Sequence, residues 1–368
     1  SQNNLHVVSY SIPVNKEVSY EELCEHIHTD DQSPDAIPYI TSYYKETWGF
    51  CLARNTFDSL PRRGTYKVFI DSTLEDGSMT YGDLVLPGDT EQEILLSTYI
   101  CHPSMANNEL SGPLVTAFLY RAIAAIPKRR YSYRFVFGPE TIGAIAYLAT
   151  HGESMLQRVL GGYVVHCIGN DAPFTYKRSR QGNSMTDRIT EYVFERRGYS
   201  PDQIIEFFPG GSDERQYCSP GFDLPIGSVM RSMYRTYPEY HTSLDDKSFI
   251  SFAAMAKSVE LYLELVGVFE ANRRFKNRNP YCEPQLGSRG LYSIVGAIEK
   301  PLHVKAILWV LNQADGSNDL LQISERSGID FDVISEASRR LEEKELLEAL
   351  DSPPLLASQH KPIDIIQT

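Results

Sequence analysis

The feature that most constrains the fold is an alternation. From about residue 91 to 270, short apolar runs take turns with stretches whose apolar residues recur at helical spacing. The runs at 94–100, 131–137, 162–165, 203–207 and 226–230 read as strands. The stretches at 111–126, 141–151, 184–197 and 248–269 read as helices. Strands separated by helices pair side by side through crossovers rather than hairpins. The expected fold class is therefore α/β, a mostly parallel sheet covered by helices. In such sheets ligands bind beyond the carboxyl ends of the strands. The residues just after each apolar run are the ones to read for chemistry.

The flanks have a different texture. Residues 1–90 read as a β-rich insert with part of the core: 6–10, 48–52 and 66–71 have strand composition, and Ser19 opens a short capped helix. The 91–270 core is followed by 271–295, rich in Asn, Arg, Pro and Gly, which reads as a linker. In 296–368, helices at 302–313, 320–328 and 332–344 and a small extended tail have the pattern of a winged helix.

Charge narrows the partners. The chain carries 35 Lys and Arg against 48 Asp and Glu, a net charge of -13. Nucleic-acid binding needs a basic footprint. Even 300–350 holds six basic against ten acidic residues, so the winged helix is expected to serve packing or dimerisation in a homo-oligomer. No apolar run approaches the ~18 residues of a membrane span. No signal-peptide pattern opens the chain. The six cysteines form no CxxC pair, which fits free thiols in a reducing cytoplasm.

Polar residues recur at the strand ends. His102 follows the first core run, Glu140 follows the second in FGPETIG, and His166 ends the third in VVHCIGND. A fourth candidate, His241, lies in YPEYHTSLD. Any one of them alone reads as a turn or capping residue. Together they can converge at one sheet edge, where histidines hold zinc and a carboxylate serves as general base. The segment GGSDER, 210–215, adds Asp213 and Arg215, readable as substrate contacts or as a surface ion pair.

The order of these residues resembles the zinc aminopeptidases with a phosphorylase/hydrolase-like core. The chain is most similar to an aminopeptidase-like family linked to polysaccharide-biosynthesis genes, through CHPSMANNELSG, PETIGAIAYL, GGSDERQYCSPGFDLP and PEYHTSLDD. The resemblance implies that His102 is a metal ligand whose usual orienting Asp is replaced by Ser104. Asn108 stands where a bridging Asp is expected, and Glu109 can turn in instead. Glu140 matches the general base, while the second Glu of the pair is Thr141, beside the substrate. His166 replaces a carboxylate ligand, His241 matches the final ligand, and Tyr240 a tyrosine that polarises the substrate carbonyl. Asp213 can bind an amine and Arg215 a carboxylate. The implied centre holds one zinc ion, and the implied reaction is cleavage of a small amide or a peptide N-terminal bond. The lost bridging Asp and second Glu leave an alternative, a decayed fold acting as a binding or assembly protein.

Overall fold

A computed structural model describes residues 3–292 and 301–350. The chain divides into two compact units, 1–128 with 132–263, and 129–131 with 264–368.

The first unit begins with β1 (Val14–Ser19), α1 (Tyr20–Cys24), β2 (Ile27–His28), β3 (Phe50–Cys51), α2 (Arg54–Asp58) and β4 (Thr65–Ile70). Ser19 caps α1 as expected, accepting from the Glu22 N–H. β1 and β4 pair antiparallel, and Val18, Leu23, Trp48, Val68 and Ile70 form a small core of their own. Residues 6–10 make a short 3-10 turn and isolated bridges rather than a strand.

The central sheet takes β5 (Gly82–Leu86), β6 (Glu93–Tyr99), β7 (Ser132–Gly138), β8 (Val159–Val164), β9 (Thr175–Lys177), β10 (Ile204–Ile205) and β11 (Ile226–Met230). Their order is β10-β9-β11-β8-β6-β7-β5. β6 pairs parallel with both β7 and β8, and β8 parallel with β11; β5 and β9 add antiparallel pairings. Every residue of β6 is buried, and its sequence carries the apolar residues Ile94, Leu95, Leu96 and Tyr99 without alternation. The crossovers are α3 (Ser111–Ala124) and α4 (Ile142–Arg158), followed by α5 (Met185–Arg196), α6 (Glu214–Tyr217) and α7 (Phe252–Ala271). α4 runs past the expected 151. Gly152 is not a stop, because an added Cβ would meet the Phe222 ring at 2.3 Å.

This order sets the site. From β6 the chain passes to β7 on one side and then to β8 on the other. The carboxyl end of β6 is thus a topological switch point, the crevice where open α/β sheets bind ligands. His102, Glu140 and His166 follow the three strands that flank it.

The second unit is a small winged helix. β12 (Arg274–Asn277) pairs antiparallel with β13 (Asp315–Asp319) and β14 (Leu347–Leu350), beside α8 (Leu302–Gln313), α9 (Leu320–Ser327) and α10 (Phe331–Glu343). Asp319 and Gln322 form a capping box on α9, and Gly328 ends it at φ 66°. The segment expected as a linker therefore contributes a strand. Its signal is weak because only Phe275 is a buried hydrophobe, while Asn277 is buried through its bond to the Leu311 carbonyl. The expected winged-helix range includes 296–300 and 351–368, which lie outside the described residues. No helix among the described residues is long and apolar enough to cross a membrane.

Candidate active site

β6 delivers Tyr99 and, two and three residues later, Cys101 and His102. Glu109 comes from a π-helical turn, Ala106–Leu110, that leads into α3. The turn is pinned by the buried Asp245, whose carboxylate accepts from the Asn107 N–H at 2.6 Å and the Asn108 N–H at 2.9 Å. Gly112 lets α3 start against the sheet: a Cβ there would lie 2.3 Å from the Val165 carbonyl oxygen.

His102 is gripped from both sides. Its Nδ1 makes a short hydrogen bond to Glu109 Oε1, and Glu109 Oε2 accepts from the Cys101 N–H at 2.7 Å. Its Nε2 lies 3.6 Å from Glu140 Oε2. Burial alone would lower the His102 pKa; the hydrogen bond and charge of Glu109, with the charge of Glu140, outweigh it and raise it. Burial raises the Glu140 pKa, with His102 opposing and Glu109 adding to it.

The loop before α7 brings His241 alongside, its ring 4.8 Å from that of His102. Tyr240 stacks on His241 at 3.9 Å. The N-terminal region reaches over: the Tyr39 N–H donates to the His241 carbonyl, and the Tyr39 ring stands edge-on to His102 and His241 at 5.0 and 5.4 Å. Burial lowers the His241 pKa to about 3, with His102 and Arg235 adding, so this ring is neutral.

His166 joins through Tyr99. The Tyr99 hydroxyl donates to Asn108 Oδ1 at 2.8 Å and lies 3.1 Å from His166 Nδ1. That hydroxyl has a single proton, so His166 Nδ1 must be the donor in the second bond. The lone pair of His166 is then on Nε2, which is buried and has no hydrogen-bond partner among the described residues. His241 Nε2 is buried and unpartnered too. Burial lowers the His166 pKa to about 4, against the pull of Glu214.

The remaining expected residues have definite partners. Thr141 opens α4 with φ 64°, a strained value for a β-branched residue. Its N–H donates to Asp213 Oδ1 at 2.6 Å and its hydroxyl accepts from Arg215 at 3.1 Å. Asp213 is fully buried, and burial, with the nearby Glu140 charge, pushes its pKa well up. Asn108 and Glu109, expected as metal donors, are engaged by Tyr99 and by His102 with Cys101. Among the described residues, one set of three has ligand atoms all within 4.8 Å of one another: Cys101, His102 and Glu140. His166 and His241 border that set and fall outside it.

Several participants escape a reading of strand ends. Tyr99 lies inside the apolar run, and Asp245 acts from a distant loop. Lys177 and Glu214 form a fully buried ion pair at 2.8 Å. The Lys177 ammonium also donates to the Gly210 carbonyl at 2.7 Å and Tyr234 at 3.1 Å, and the Tyr234 ring stacks 6.0 Å from His166. A lysine within the short strand Thr175–Lys177 was the available signal.

A parallel sheet with histidines and a glutamate at its switch point, extended by a winged helix, defines an aminopeptidase-like protein. Residues 4–272 match the family model described as "Domain of unknown function (DUF4910)", and 273–349 match a winged helix-turn-helix model. The chain belongs to that first family. It is 47% identical over 347 residues to a Clostridium acetobutylicum protein named as a candidate polysaccharide-biosynthesis protein with an aminopeptidase-like domain, covering 94% of this chain and 79% of that one. A crystal structure of a candidate peptidase from the same organism superposes with a TM-score of 0.84 at 45% identity, over 95% of this chain and 79% of that one. A zinc aminopeptidase from Bacillus subtilis shares the fold, with a TM-score of 0.51 at 15% identity, over 66% of this chain and 62% of that one.

Proposed function

We propose that this protein is a metal-dependent hydrolase of aminopeptidase type that cleaves a small amide or a peptide N-terminal bond. The observation that carries the reading is the placement of His102 between Glu109 on Nδ1 and Glu140, 3.6 Å from Nε2, at the switch point of the sheet. At that distance Glu140 stands close enough to reach a water bound beside His102 Nε2. Cys101, His102 and Glu140 have donor atoms within 4.8 Å of one another, a spacing that fits a zinc ion, while His166 and His241 border that set. Glu109 holds the Nδ1 proton of His102 and frees Nε2, while His166 and His241 present neutral imidazoles with unpartnered Nε2 atoms. His102 would hold one zinc, with His166 and His241 as the neutral histidines available to join it. Bound there, it would polarise the scissile carbonyl and acidify a water.

The chain's own groups do the rest. Glu140 takes the proton of the attacking water and passes it to the leaving nitrogen; its raised pKa brings it nearer neutral pH, where a general base works best. The Tyr240 hydroxyl donates to the carbonyl oxygen as charge develops on it. Tyr99 fixes the His166 tautomer, and Glu109 fixes that of His102. The six unpaired cysteines suit a reducing cytoplasm. The acidic winged unit suits packing or self-association rather than nucleic acid.

The second reading, a decayed site kept for binding or assembly, is favoured by Thr141 and Asn108, neutral groups in place of two carboxylates. Glu140→Gln separates the readings. Loss of amide hydrolysis with metal content unchanged supports the hydrolase; unchanged turnover overturns Glu140 as base, and absence of activity in the wild type across an amide library favours the binding protein.

A further inference from the structure

Resting on the hydrolase reading, two independent features bear on the substrate. The first is a supply of anions. An aminopeptidase must hold a free α-ammonium group, which needs an uncommitted carboxylate. Among the described residues of the site, the carboxylates are committed to other partners, apart from one oxygen of Glu214 that is buried without a hydrogen-bond partner. Glu109 serves His102 and the Cys101 N–H, Asp245 serves the turn at 107–108, and Asp213 accepts from Thr141. Glu214 is paired with Lys177, and Glu140 is the base. Arg215, which donates to Thr141, adds a cation whose charge acts on Asp213. The site suits an amide nitrogen whose neighbourhood carries no ammonium.

The second feature is a shelf of exposed rings. Tyr10, Tyr43 and Tyr44 are 54%, 58% and 102% exposed, yet they touch, with ring centroids 4.7 Å apart for Tyr10 and Tyr43 and 6.3 Å for Tyr43 and Tyr44. Tyr10 takes a left-handed φ of 69°, a conformation a bulky residue adopts only at a cost. The shelf is continuous with the site, because Tyr43 shares a hydrogen bond with Tyr39, whose ring abuts His102 and His241. Exposed aromatic clusters of this kind mark binding surfaces. Tyrosine offers an apolar face with a hydroxyl at its rim. A pyranose ring matches it, with C–H groups on its faces and hydroxyls at its edge.

We infer that the substrate is an N-acylated amino sugar, its acyl amide at His102 and Glu140 and its neighbouring sugar rings on Tyr10, Tyr43 and Tyr44. Hydrolysis adds water across the C–N bond. The oxygen goes to the acyl carbon and the proton taken by Glu140 goes to the sugar nitrogen as the C–N bond breaks; the second proton of the water leaves the new carboxyl group for the amine, giving a carboxylate and an ammonium.

The test uses the zinc-loaded full chain and di-N-acetylchitobiose. Calorimetry on Glu140→Gln reads binding without turnover, and acetate release by the wild type reads the reaction. We expect binding that weakens tenfold or more when Tyr43→Ala and Tyr44→Ala are added, together with acetate release and no cleavage of leucyl-p-nitroanilide. Absence of binding, or equal binding with and without the tyrosines, overturns the inference. Cleavage of leucyl-p-nitroanilide at a rate indifferent to the tyrosines also overturns it and leaves the hydrolase reading standing. Tyrosine-dependent binding with no acetate release upholds the sugar site and overturns the hydrolase reading.

Discussion

Glu109 holds His102 through Nδ1, doing from the turn before α3 what the position of Ser104 no longer can. A carboxylate on the far nitrogen fixes the ring and raises its basicity as a ligand. Ser104 has a different task, accepting from the Asn4 side chain at 2.9 Å.

Glu109→Gln should therefore lower zinc affinity by roughly 10–100-fold, the usual effect of losing such a partner. Competition against a chromophoric chelator measures it, with circular dichroism to check the fold. Unchanged affinity would show that the Glu109 contact does not orient a ligand.

The metal-free protein should lose stability in acid through His166. Its pKa is about 4 in the folded chain and 6.5 in the ordinary state, so between these values the unfolded chain binds more protons. Stability from this group is full above pH 6.5 and falls as pH drops toward 4, by on the order of 3 kcal/mol. Buried acids with raised pKa values, Asp213 among them, act with the opposite sign. The quantity to measure is thus the difference in urea stability between the wild type and His166→Gln across this window. A difference that does not change with pH would contradict the buried neutral imidazole.

Lys177 and Glu214 are buried completely, so each needs the other. Lys177→Met should cost about 3–5 kcal/mol by stranding the Glu214 charge. Adding Glu214→Leu should recover most of that loss. Chemical denaturation of the single and double variants reads both effects, and additive losses would rule out the pairing.

Gly112→Ala tests how tightly α3 seats on the sheet. The new methyl would meet the Val165 carbonyl at 2.3 Å and the Thr98 hydroxyl at 2.6 Å. Overpacking of this kind costs about 1–3 kcal/mol or more. Because the same turn carries Asn108 and Glu109, zinc affinity should fall in parallel. A thermal scan showing no change would mean the helix start yields freely.

Much of this arrangement is legible in the chain. The apolar run 94–100, buried as far as Tyr99, announces a central strand, and the positions of His102, Glu140 and His166 after successive strands announce an edge where they gather. The partners of those residues are harder to read. Asp245 pins the turn at 106–110 from more than 130 residues away, and Tyr99 belongs to the apolar run yet uses its hydroxyl to link Asn108 with His166. Glu109 was readable as an acid able to turn inward, but its choice of His102 depends on a π-helical turn that no periodicity encodes. β12 was missed because one buried Phe in four residues gives almost no alternation to detect.

The most direct test of the metal centre is metal content per chain, by plasma mass spectrometry, for the wild type, His102→Ala and His166→Ala. The account predicts about one zinc per wild-type chain, as a single open catalytic site requires, and its loss in both variants. A wild-type protein that holds no metal after zinc is supplied and the excess removed would contradict it.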